Sequence, residues 1–104
     1  MFPKMPRYLN RRLQAILKER GLSFADVPTL AGFIRLYLRD ELSREIFQAN
    51  LWQALRRKVL TIARKGARGG HDYVPTPEDQ RRWLIEDILN VVESAKSTPP
   101  VKGA

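Results

Sequence analysis

Apolar residues recur at intervals of three and four along most of this chain, and that period constrains its fold more than any other feature. Leu9, Leu13, Ile16 and Leu17 make a first stripe, and Gly21 supplies a C-terminal stop. Leu30, Phe33, Ile34, Tyr37, Leu38 and Leu42 make a second. A third, Leu51, Trp52, Leu55, Val59, Ile62 and Ala63, runs up to Gly66. The fourth, Leu84, Ile85, Ile88, Val91, Val92 and Ala95, follows the start signal TPED, in which Thr76 caps, Pro77 takes the first helical position and Glu78 and Asp79 fill the first turn. No run alternates strictly enough to be a strand.

The expected fold is therefore all-α, a small bundle of three to four amphipathic helices, because helices this short need one another's apolar faces. Helix one is predicted over residues 7–20 and helix three over 44–65, the latter about 30 Å long. Ser23 and Asp26 have the spacing of a capping box, and Ser43 can cap helix three. The pattern leaves open whether helices two and three are separate or one bent rod. At 104 residues the chain suits one core. We expect a single helical domain over 1–96 and a disordered tail over 97–104, whose composition, STPPVKGA, is that of a loose end.

Composition excludes several function classes. With no cysteine there is no disulfide, thiolate metal site or thiol nucleophile. His71 is the only histidine, and the sequence around it lacks the carboxylates that a metal site would need, so neither a metal nor another cofactor is expected. Glu41 and Glu45 lie one turn apart but beside Arg44, as surface charges do. No phosphate-loop lysine or serine-nucleophile motif is present, and the expectation is a protein that is not an enzyme. No apolar run approaches the roughly 20 residues of a membrane span, and Lys4, Arg7, Arg11 and Arg12 break any secretory core. The expected location is cytoplasmic.

The net charge of +8 is unevenly spread. Residues 1–71 hold 15 basic against five acidic side chains, and residues 72–104 hold four against six. After Glu45 the chain is free of acid until Asp72. On a continuous helix three, Asn50, Gln53, Arg57, Thr61 and Arg64 share one face opposite the apolar stripe, flanked by Arg56, Lys58 and Lys65. Cations there can pair with phosphates, and amides can reach sugars or base edges. Arg7, Arg11 and Arg12, with Lys4 and Lys18, form a second cluster. The two make one anion-binding surface if the bundle sets helix one beside helix three. Arg68, in the glycine-rich connection ARKGARGGHDY, adds a cationic tip. Trp83 sits at the edge of the fourth stripe, where a half-exposed ring would serve as a partner or dimer contact.

The stretch RLQAILKERGLSFADVPTLAG resembles the opening of the helix-turn-helix repressor family, in which a helix ends in a similar Arg-Gly-Leu-Ser before a second helix. The likeness covers about a fifth of the chain. Pro28 departs from it by falling inside that family's second helix, as does the apolar pattern running on through Gly32.

Two functions follow as expectations. The first is a non-enzymatic nucleic-acid-binding accessory or regulatory protein, for DNA or RNA, contacting phosphates through Arg7, Arg11, Arg12, Asn50, Gln53, Arg57, Lys58, Thr61, Arg64, Lys65 and Arg68. The second is a helical adaptor, inhibitor or assembly subunit whose basic face docks on an acidic protein.

Overall fold

The computed structural model describes residues 5–61 and 75–97. Within them the protein is all-helical, with four α-helices: α1 (Arg7–Glu19), α2 (Leu30–Leu38), α3 (Arg44–Leu55) and α4 (Pro77–Ser97). Arg64, Lys65, Arg68 and His71 lie outside the described residues, as does the tail beyond Ser97, where α4 ends one residue later than expected.

Local chemistry accounts for most helix boundaries. At the end of α1, Gly21 adopts φ +77°, its N–H donates to Lys18 O and the Leu22 N–H donates to Leu17 O, a paired closure of the last carbonyls. A second helix uses the same closure without glycine. Asp40 takes φ +60° after α2, while its N–H and that of Glu41 donate to Tyr37 O and Leu36 O. Short acidic side chains tolerate that backbone region better than most. The turn it creates separates α2 from α3, so the two middle helices are distinct. Ser43 Oγ then accepts from the Ile46 N–H at 3.1 Å and starts α3. At the head of α4 the capping is reciprocal: the Asp79 N–H donates to Thr76 Oγ1 at 3.0 Å, and the Thr76 N–H to an Asp79 carboxylate oxygen at 3.1 Å.

Ser23 and Asp26 close a similar box, but around a single 3-10 turn, Phe24–Asp26, rather than the start of α2. Pro28 lies in the turn that follows, and α2 begins only at Leu30. The helix-turn-helix likeness does not carry into three dimensions. α1 packs chiefly on α4, whereas α2 pairs with α3.

α4 is the hub, contacted by each of the other three helices. Leu9, Leu13 and Leu17 of α1, Ile34 of α2, Phe47, Leu51 and Leu55 of α3, and Leu84, Ile88 and Val92 of α4 are fully buried in one core. Phe47 escapes the periodic reading of helix three but is central, its ring stacked on Tyr37 at 4.5 Å. Because helices surround α4 on several sides, its buried arc is wider than one stripe, and it takes in Trp83. That ring is 9% exposed, which corrects its expected place as a half-exposed partner contact.

Candidate nucleic-acid interface

The largest correction concerns helix three. It stops at Leu55, ten residues short of Lys65, so it is about 18 Å long. Residues 56–57 form a turn, and 58–61 continue without helical structure. The cause is tertiary. Arg81, one turn into α4, donates from Nε to Leu55 O at 2.9 Å and from a terminal nitrogen to Lys58 O at 3.1 Å. A guanidinium thus satisfies carbonyls at the negative end of the α3 dipole and holds the chain in its turn. Beyond it Leu60 packs against the core while Val59 points outward, 91% exposed, the reverse of what a continuing helix would do. The Thr61 N–H donates to Arg20 O at 2.9 Å, fastening the segment across the end of α1. A Cβ added at Gly21 would come within 2.7 Å of Thr61 Oγ1, so the crossing is close.

The expected row Asn50, Gln53, Arg57, Thr61, Arg64 is accordingly broken. Asn50 and Gln53 remain three apart on α3, Gln53 exposed and Asn50 half-buried. Arg57 is exposed in the turn, Lys58 is half-buried, and Thr61 lies on the crossing segment rather than on a helix. Nor do α1 and α3 pack chiefly side by side, because both lie on α4, and the segment after α3 meets the end of α1 at Thr61.

The helix-one cluster keeps its geometry. Arg7, Arg11 and Lys18 are exposed, and with Gln14 they stand at intervals of four, three and four, which places them in a single row on the side away from Leu9, Leu13 and Leu17. The row spans about 17 Å along the axis. Arg12 is exposed on an adjacent flank beside Tyr8. Among the described residues, none of Arg7, Arg11, Arg12 and Lys18 takes part in an ion pair or a side-chain hydrogen bond. The same holds for the side chains of Arg56, Arg57 and Lys58 at the end of α3. Gln14 went unrecognised in the sequence as part of this row, although the 7, 11, 14, 18 spacing contains it. It donates to Asn10 Oδ1 at 3.4 Å.

Several other cations are committed elsewhere. Arg20 lies one position past α1 on its apolar side, only 4% exposed, and pairs with Asp87 of α4 at 3.4 Å. Arg44 and Tyr37 both donate to Glu93, and Lys96 pairs with Asp40 at 2.7 Å while its ammonium sits 3.9 Å from the Tyr37 ring centre. Burial first, then the hydrogen bond to Glu93, push the Tyr37 hydroxyl above its ordinary value of 10.0. The Lys96 pKa is raised chiefly by its bond to Asp40.

Between α3 and the start of α4 lies an open groove of about 570 Å³, lined by Ala49, Trp52, Gln53, Arg56, Glu78 and Arg81. Among the described residues no group of three or more His, Cys, Asp or Glu side chains is placed to hold a metal. No helix among them is long and apolar enough to cross a membrane. Set against protein families, curated proteins and solved structures, the chain matches none.

Proposed function

We propose that this protein binds nucleic acid in the cytoplasm without catalysing a reaction, as an accessory or regulatory factor, gripping phosphates with the exposed cations of α1 and of the turn after α3. The observation that carries the reading is the Arg7, Arg11, Gln14, Lys18 row. Three cations are held in line on a rigid helix, directed away from the core, with no carboxylate partner. Duplex nucleic acid carries one charge per about 1.7 Å of axis, so a row of about 17 Å meets phosphates along its whole length. Such contacts set position and affinity rather than sequence preference.

Fluorescence anisotropy with a labelled oligonucleotide tests this. Wild type is expected to bind, and Arg7→Glu/Arg11→Glu/Lys18→Glu to lose binding while keeping its helical circular-dichroism spectrum. An unchanged affinity in the folded variant would refute the reading. The same cations also suit an acidic protein surface, and Tyr8 and Val59, exposed beside them, would supply apolar contacts to such a partner. On that second reading the variant loses one stoichiometric protein partner and wild type does not bind oligonucleotides.

A further inference from the structure

We infer that the groove between α3 and α4 receives one unstacked base, which makes single-stranded nucleic acid the preferred ligand; the inference rests on the proposed function and assigns its substrate class. The groove holds about 570 Å³, room for a base and part of its sugar. Its wall includes the half-buried Trp52, a flat apolar surface of the kind on which bases stack whatever their sequence. Beside it Gln53, exposed on the same helix, offers an amide that can both donate to and accept from a base edge.

The charges distinguish the two walls of the groove. Arg81 is engaged with Leu55 O and Lys58 O, and Glu78 stands 3.8 Å from it. The Glu78–Arg81 pair balances its own charge and leaves the α4 side without a spare cation for phosphate. Arg56, on the α3 side, is a lining cation with no ion pair, and it is followed directly by Arg57 and Lys58. The sugar-phosphate backbone therefore runs along residues 56–58 with one base turned inward over Trp52. A paired duplex keeps its bases stacked inside and cannot present one without the cost of unstacking it. The groove thus selects for strands that are already open.

Tryptophan fluorescence of the intact protein reports on this directly, because Trp52 lines the groove while Trp83 is buried. The probes are a single-stranded thymidylate dodecamer and a duplex of the same length. The expected result is strong quenching by the single strand and little by the duplex. Gln53→Ala, at an exposed position outside the phosphate-gripping cations, should weaken single-strand binding about 5-fold and leave duplex binding nearly unchanged. Trp52→Leu should do the same and remove the quenching. Equal quenching by both probes, or single-strand binding by Gln53→Ala and Trp52→Leu equal to wild type, overturns the inference while leaving phosphate binding by α1 intact. Absence of binding to either probe overturns both.

Discussion

Helices α1 and α4 lie against each other in the bundle, and they dispose of their charges in opposite ways. On α4, Asp79 caps its own helix and pairs with Arg82, Arg81 closes the end of α3, Asp87 holds the buried Arg20, and Glu93 and Lys96 tie to Arg44, Tyr37 and Asp40. On α1, Arg7, Arg11, Arg12 and Lys18 are tied to nothing. Charge on the hub helix links elements, whereas the basic charge on α1 is left facing solvent. Like charges on one helix cost a little stability through repulsion, which the proposed phosphate ligand would relieve.

That contrast predicts a double dissociation. The largest effect belongs to α1: Arg7→Glu/Arg11→Glu/Lys18→Glu should weaken oligonucleotide binding by at least about 100-fold near 0.1 M salt, with thermal stability nearly unchanged. A fall in melting temperature of many degrees would show that these cations serve the fold after all. Next comes Arg81→Ala, which strands two carbonyls and should cost about 2–3 kcal/mol in urea unfolding, with binding altered far less than by the α1 variant. Thr76→Ala should cost about 1 kcal/mol by removing the cap of α4.

The smallest effect tests one of the ties of α4, that between Glu93 and Tyr37, by pH. Tyr37→Phe should cost about 1 kcal/mol near neutral pH by losing the hydrogen bond to Glu93. Because the folded-state pKa of Tyr37 is raised, the unfolded chain ionises first as pH climbs past 10.0. The stability linked to Tyr37 is thus complete below that pH and is lost as pH rises through the folded value. Lys96, also raised, acts in the same direction from 10.5 upward. Wild type should lose stability above about pH 10 more steeply than Tyr37→Phe. Equal slopes would exclude a role for the Tyr37 hydroxyl.

The ends of two helices show what was legible in the sequence. Thr76, Pro77, Glu78 and Asp79 announce the start of α4 within four residues, because the donors and acceptors that make a cap are local. The end of α3 has no such signal. Val59, Ile62 and Ala63 continue its period, while the group that stops it, Arg81, is 26 residues away from Leu55. Only the packed fold brings the two together. Trp83 was misplaced for a related reason: amphipathic reading assumes one buried face, and a helix packed on three neighbours buries more. Arg20 was hidden in the opposite sense, since a charged type on the apolar side reads as surface until Asp87 is seen opposite. The basic row of α1 was legible in large part, because 7, 11 and 18 share a face on any regular helix.

The central claim is that the unpaired cations of α1 bind phosphate, and the salt dependence of affinity measures this most directly. Each neutralised phosphate contributes about 0.9 to the slope of log affinity against log salt on a duplex, and about 0.7 on a single strand. Replacing Arg7, Arg11 and Lys18 together by alanine should lower the magnitude of that slope by about 2 to 3. A slope equal to wild type in the folded triple variant would contradict the account.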